Sequence, residues 1–335
     1  MKIAITGGAG FISRRIVQAY LDAGHDVLVI DSLVNKTQQV VDPRARLYRV
    51  DIRDNIVSTI LQEERPDIVS HHVSQQPSVV PGAQVIADAD VHIRGLLHIL
   101  ESSINASVKK LIFASGGNDL YEQTANLPVT EDAPLNPQSA HDISKIAGEW
   151  YVRYFTRLYG LQHIILRYAD IYGASISMQE PSSHTSHPLH YLLSMLAQQR
   201  SPIIRGTGKE VRDHIFIDDV VRANLQALDR GHNQTFNISS GQGYSLNQLY
   251  QITTDLLKSS IEPTYLFSFS EEKHDIILDN SRAQRYLQWQ PEISLTVGIQ
   301  RLIEEMGLGG EPSTLSDAKG RQKQDDPEKR ALTMV

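Results

Sequence analysis

His141 and Lys145 stand four residues apart in the segment Asn136-Pro-Gln-Ser-Ala-His141-Asp-Ile-Ser-Lys145-Ile-Ala-Gly-Glu149. An imidazole has an ordinary pKa of about 6.5, so it can take up a proton near neutrality. A lysine cation beside it disfavours the imidazolium and leaves a neutral ring able to accept one. The pair is therefore a candidate acid/base centre. Thirteen histidines are many for 335 residues. His184, His187 and His190 recur at intervals of three and, with Asp170, offer the nitrogen and oxygen donors that suit zinc or iron. The plainer expectation is a solvated loop, because that spacing fits one helix face poorly and Pro188 interrupts a helix through it. No metal is assigned on this basis.

A second chemistry is carried by the elements that must position the first. Lys2–Thr6 is a short strand-like run ending in Gly7-Gly-Ala-Gly10-Phe11-Ile12-Ser13, after which a helical pattern runs to Ala23 and Gly24 closes it. Asp26–Ile30 is a second buried strand ending at Asp31. In this strand–loop–helix–strand context, Gly7 and Gly10 let the backbone turn tightly and approach a pyrophosphate, whose charge the helix N-terminus stabilises. Asp31 can accept hydrogen bonds from both adenosine ribose hydroxyls and would repel a 2′-phosphate, which favours NAD over NADP. Asp51, followed by Ile52, falls at the end of a third strand where an adenine amino group can be read. Ser13 replaces the usual third glycine, a mild change that predicts slightly looser helix–strand packing.

Further apolar runs at Leu47–Val50, Ile68–Val69, Leu111–Ala114 and Gln162–Arg167 alternate with helical stretches at about 56–64, 88–104 and 142–159. Strands alternating with helices predict an α/β fold with a doubly wound parallel sheet. Past Tyr168 the alternation loosens. Residues 174–188 read as a loop, 188–200 as a helix, Val211–Ile217 as a strand and Asp218–Asp229 as a helix. Ser245–Lys258, Ser281–Leu287 and Leu295–Met306 read as small helices of a second lobe. The expected organisation is a Rossmann domain over 1–168, rejoined by 212–238, a smaller α/β substrate lobe over 169–308, and a disordered tail over 309–335.

Composition narrows the function classes. A hydrophobic fraction of 41% with 21% charged residues is that of an ordinary globular protein. A net charge of −7 gives no electrostatic footprint for nucleic acid, and no basic cluster suggests a membrane surface. The absence of cysteine excludes disulfides, thiolate nucleophiles and Cys-based zinc sites. No apolar run reaches membrane-spanning length. The N-terminus passes straight into a strand and does not read as a cleaved signal. A cytoplasmic protein with a small-molecule substrate is expected.

These motifs together resemble the extended short-chain dehydrogenases/reductases, specifically the NAD-dependent nucleotide-sugar epimerase/dehydratase family of UDP-glucose 4-epimerase type. The resemblance covers about residues 1–306. Thr6-Gly-Gly-Ala-Gly-Phe-Ile is similar to its cofactor loop and Asp51-Ile-Arg-Asp54 to its adenine segment. His71-His-Val-Ser-Gln75, with Val73, is similar to the strand end against the cofactor. Leu166-Arg-Tyr-Ala-Asp-Ile-Tyr-Gly173, Gly206-Thr-Gly-Lys-Glu-Val-Arg-Asp213, Ile217-Asp-Asp-Val-Val221 and Asn237-Ile-Ser-Ser-Gly241 are similar to its later signatures. The resemblance implies NAD as cofactor, a Tyr-x-x-x-Lys acid/base element whose lysine also meets the cofactor, and a homodimer built on the helices near 90–104 and 142–159.

The same comparison locates the departures. His141 occupies the tyrosine position, while Lys145 is kept. The expected Ser/Thr hydroxyl falls on Gly116 or Gly117, with Ser115 displaced. His92 stands where an asparagine is usual near the cofactor. Asp170 replaces an asparagine near the substrate phosphates, Arg212 is kept as a phosphate partner, and a second arginine expected near Phe269 is missing. His92, Asp170, Arg212 and His187 are therefore the substrate-side candidates. An imidazole reaches roughly 2 Å less far than a phenol oxygen, and a misplacement near 1 Å can cost on the order of a hundredfold. Three functions follow as expectations. The first is an NAD-binding epimerase or dehydratase acting on a sugar-nucleotide-like or polyol-like substrate through His141. The second is a repurposed scaffold with non-redox chemistry or an NAD-sensing role. The third is a metal-dependent variant.

Overall fold

The protein is described by a computed structural model covering residues 1–34, 41–74, 84–124, 126–174, 187–266 and 274–308. The expected tail, Gln75, His184, most of the 174–188 loop and the stretch around Phe269 lie outside the described residues.

The chain opens with β1 (Lys2–Thr6), α1 (Phe11–Asp22), β2 (Asp26–Asp31), β3 (Arg46–Arg49), α2 (Ile56–Glu64) and β4 (Ile68–His71). Then come α3 (Val85–Ala89), a π-helical turn (Asp90–Arg94), α4 (Gly95–Asn105), β5 (Lys110–Gly116), α5 (Ala140–Tyr159) and β6 (Gln162–Tyr168). Beyond these lie β7 (Asp170–Tyr172), α6 (Pro188–Ala197), β8 (Ile203–Arg205), β9 (Val211–Phe216), α7 (Ile217–Asp229) and β10 (Gln234–Ile238). The last elements are β11 (Gly243–Ser245), α8 (Leu246–Leu257), β12 (Thr264–Leu266), α9 (Ser281–Leu287) and α10 (Leu295–Glu305).

Seven parallel strands form one sheet in the order β10-β6-β5-β4-β1-β2-β3. The central strands are apolar on both sides because both faces of the sheet are covered. Ile3, Ile5, Val27 and Val29 point to one face and meet Ile16, Val17 and Tyr20 of α1 and Val220, Ala223 and Ala227 of α7. Ala4, Leu28, Ile30 and Val69 point to the other and meet α2, α4 and α5 through Val57, Ile99, Leu100, Val152 and Phe155. Each fully buried aliphatic side chain contributes roughly 1.5–3 kcal/mol. Strand order reverses between β1 and β4, and in such sheets the crevice beyond the strand carboxyl ends at the reversal takes the ligand.

The later elements build a smaller lobe from a three-stranded sheet, β11-β9-β7, and the pair β12-β8. Its core gathers Tyr172, Leu189, Leu192, Leu193, Phe216, Ile217, Leu249, Leu295, Ile299 and Leu302. The four three-residue strands escape periodicity because a run of three carries no readable alternation.

One expectation needs correction. The 88–104 stretch is not one uniform α-helix: α3 and α4 are joined by the π-helical turn over Asp90–Arg94, a widening that often marks functional sites. Pro188 begins α6 as the expected helix over 188–200 requires, at the position where its missing N–H costs nothing, so the helix does not run back through His187, while the backbone N–H of Leu189 donates to His187 Nδ1 at 3.2 Å.

Candidate active site at the carboxyl end of the sheet

The glycine loop leaves β1 with Gly7 at φ +72°, donating to Ile30 O at 2.8 Å. A Cβ at Gly7 would lie 2.9 Å from the Val73 backbone, so only glycine lets this turn approach the end of β4. Gly10 precedes α1 with no side-chain cap, which leaves the helix N-terminus to meet an anion. Ser13 Oγ donates to Gly7 O at 2.5 Å, and the hydroxyl is taken up by the loop itself. Phe11 and Ile12 begin α1, with the Phe11 ring edge-on to His190. Asp31 is buried and accepts from Ala9 N at 3.0 Å and Leu33 N at 2.8 Å. Both oxygens are thereby fixed in direction, each retaining acceptor capacity. Asp51 is bound by Arg53, which also reaches Asp90, and Ile52 is buried against Gly95. The glycine cradle, the bare helix end and the oriented carboxylate fit an adenine dinucleotide.

His141 is the second residue of α5. Ser139 fixes that helix start through a reciprocal capping box with Asp142, and Gly160 at φ +74° ends the helix. One turn on, Lys145 reaches back across the sheet end, donating to Ala114 O at 3.1 Å and to Val73 O at 3.4 Å. Burial pushes its ammonium down to about 8, against the pull of Asp88. The His141 Nδ1 lies 3.4 Å from Asp88 Oδ2, and its ring packs edge-on to His92 at 4.7 Å between centroids. Ser144 Oγ holds the other carboxylate oxygen of Asp88 at 2.7 Å. Burial first, and Lys145 second, lower the His141 pKa below its ordinary value while Asp88 works the other way. His92, 3% exposed, is lowered further by the same two causes. Asp88 was missed by sequence reasoning. The available signal was Asp88-x-x-x-His92, two polar residues one helical turn apart beside the cofactor segment.

The Ser115 hydroxyl, expected as a catalytic partner, is engaged within the protein. It is buried and donates to Glu149 Oε1 at 2.7 Å, inside the interface between β5 and α5. Both ring nitrogens of His187, a substrate-side candidate, are used within the protein: Nδ1 accepts from Leu189 N, and Nε2 faces His214 Nδ1 at 3.0 Å. Arg212 is spanned by Asp170, at 2.6 and 3.1 Å, and by Asp119, at 3.0 Å. Burial opposes the Asp170 charge, but the Arg212 ion pair outweighs it and holds the carboxyl well below the usual range. Asp170, Arg212 and His214 thus form one set on the paired strands β7 and β9. His141, Lys145, His92 and Asp88 form another against the sheet end.

A seven-stranded doubly wound sheet with a glycine loop under its switch point defines a dinucleotide-dependent enzyme class. Residues 3–239 match the model of the NAD dependent epimerase/dehydratase family, and the chain belongs to that family. NAD is its cofactor. The chain is 34% identical to the "Putative UDP-glucose 4-epimerase" of Methanocaldococcus jannaschii over 91% of this chain and 98% of that one. Among solved structures it resembles the UDP-glucose 4-epimerase of Thermotoga maritima with UDP-glucose, with a TM-score of 0.86, 33% identity, and coverage of 92% and 99%. It also resembles the Thermus thermophilus UDP-glucose 4-epimerase complex with NAD, with a TM-score of 0.81, 25% identity, and coverage of 92% and 99%. Among the described residues, no helix is long and apolar enough to cross a membrane.

Proposed function

We propose that this chain is a nucleotide-sugar epimerase or dehydratase in which His141 takes the place of the usual tyrosine as proton carrier. The observation that carries this is the ordered row Ser144–Asp88–His141 beside the buried Lys145. Asp88 accepts from the Nδ1–H of His141 and so sets the tautomer that leaves Nε2 as a proton acceptor. Lys145 keeps the ring neutral. Bound NAD supplies the hydride acceptor and donor. The relatives of UDP-glucose 4-epimerase type support a UDP-sugar as substrate. For its diphosphate to pair with Arg212, Asp119 must release the guanidinium.

The purified, NAD-loaded chain is expected to interconvert UDP-glucose and UDP-galactose, or UDP-glucuronate and its 4-epimer, or to dehydrate one of them. Proton NMR of the sugar pool reads this directly. If no UDP-sugar changes and the ultraviolet absorption of reduced nicotinamide never rises, the redox assignment fails. The scaffold would then have kept its cofactor for binding or non-redox chemistry. The burial of Ser115 and the closed Arg212 pair favour that second reading.

A homodimer is part of the proposal. On α5, Trp150 is 65%, Tyr154 46% and Leu158 52% exposed. Their spacing of four places them on one helix face, as a continuous apolar stripe of the kind that marks an interface. Trp150→Glu together with Tyr154→Glu is expected to yield a monomer by light scattering; an unchanged mass would place the contact elsewhere.

A further inference from the structure

Asp88, His92 and His141 bring one carboxylate and two imidazoles together with their ligating atoms all within 4.8 Å of one another. Asp88 Oδ2 lies 3.7 Å from His92 Nε2 and 3.4 Å from His141 Nδ1. Two ligands bound to one zinc ion at about 2.0–2.1 Å in tetrahedral geometry are separated by about 3.4 Å. The two carboxylate–imidazole spacings therefore need only a few tenths of an ångström of closure, while the two imidazole nitrogens must come together from within 4.8 Å. We propose that Asp88, His92 and His141 form a binding site for a single divalent transition-metal ion of the zinc class.

Several features make this a built site. Asp88 and His92 are four apart on a continuous helical run, so both face α5. The π-helical turn begins between them, where such widenings re-aim side chains. Ser144 grips the outer oxygen of Asp88 at 2.7 Å, the second layer of hydrogen bonding that orients a ligating carboxylate. The set is largely screened from solvent, with His92 almost fully buried. Three protein ligands of this kind leave a fourth position open, as in reactive and not purely structural zinc sites. Lys145 opposes the ion electrostatically, but its ammonium is already engaged by two carbonyls.

The consequence for activity rests on the function proposed above. With the ion on Nδ1, the proton of the neutral ring moves to Nε2. The nitrogen that would accept a proton from substrate becomes a donor, and metal occupancy and base catalysis exclude one another. The site would make the enzyme zinc-inhibited.

The test uses the full chain with NAD and no affinity tag, dialysed against chelator and titrated with ZnCl2 by calorimetry. One Zn2+ per chain is expected, with affinity weakened roughly tenfold or more in Asp88→Asn and in His92→Asn, and by a smaller factor in Ser144→Ala. His187→Asn, in the other histidine set, should leave the titration unchanged, and Lys145→Met should tighten binding. Stoichiometric binding unaffected by both Asp88→Asn and His92→Asn, binding lost in His187→Asn, or no binding by the parent overturns the site. Binding without inhibition leaves the site standing and removes the base role of His141.

Discussion

Replacing His141 by alanine is expected to lower kcat on a UDP-sugar by about 100- to 10,000-fold, the range of a lost general acid/base. Bound NAD should remain at the parent level, because the ring touches Asp88 and His92 and none of the loop that cradles the dinucleotide. The pH profile distinguishes a base from a space-filling ring. Only the neutral imidazole accepts a proton, so kcat must fall as acid charges it. Burial and Lys145 place that transition below the ordinary 6.5, with Asp88 moderating the shift. The midpoint of the parent's acid limb should therefore lie below 6.5. Lys145→Met removes a cation and should move the acid limb upward; Asp88→Asn removes an anion and should move it downward. Measuring kcat against pH in the three proteins settles the point. A limb above 6.5 in the parent, or the opposite order of shifts, would refute the assignment.

How much of this was legible beforehand differs between the two halves of the chain. The sheet was readable because its strands are bounded by strong punctuation. Gly7 and Gly10 end β1, Gly24 ends α1, and Asp31 closes β2. The alternation of Ile3 and Ile5 against Ala4 is hidden in the sequence, since both faces are apolar, yet strand length and the following helices were enough. In the second lobe, β7, β8, β11 and β12 have only three residues each. Their pairing depends on partners far along the chain, which local patterning does not record.

Within the candidate site, the glycine-loop half is written in local spacing and the half around His141 is not. Lys145 and His141 were singled out together because they share one helix turn. Asp88 joins them only through the packing of α3 on α5 and the π-helical turn that aims it. The engagement of Ser115 with Glu149 follows from the strand period. Ser115 lies two residues beyond Phe113, so both side chains face α5, where Phe113 packs with Val152 and Phe155 and Ser115 meets Glu149. Arg212 was singled out as a cation on the substrate side of the family pattern. Its double capture by Asp170 and Asp119 is a tertiary fact.

The largest loss of stability is expected from Glu149→Ala, at about 3–5 kcal/mol, because it strands a buried charge. Glu149 is 0% and Arg167 2% exposed. The carboxylate accepts from Arg167 Nε at 2.8 Å and Nη2 at 2.7 Å, from Ser115 at 2.7 Å and from Arg153 at 3.0 Å. Arg167 also donates to Tyr121 Oη at 2.9 Å and to Glu131 O at 3.1 Å. Alanine removes the only carboxylate bonded to that guanidinium among the described residues and gives it no water in exchange. The pair is nevertheless a weak source of net stability, since burying both ions costs nearly what their attraction returns. Glu149→Leu combined with Arg167→Met should therefore recover most of the loss. Urea unfolding followed at constant m-value separates the cases. A single-variant loss under about 1 kcal/mol would mean that Arg167 has found another partner or water, against the buried-pair energetics. Because α5 carries Glu149, His141 and Lys145 on one rigid element, Glu149→Ala should also loosen the catalytic end of the helix. Its kcat should consequently fall while the double variant regains it along with the fold.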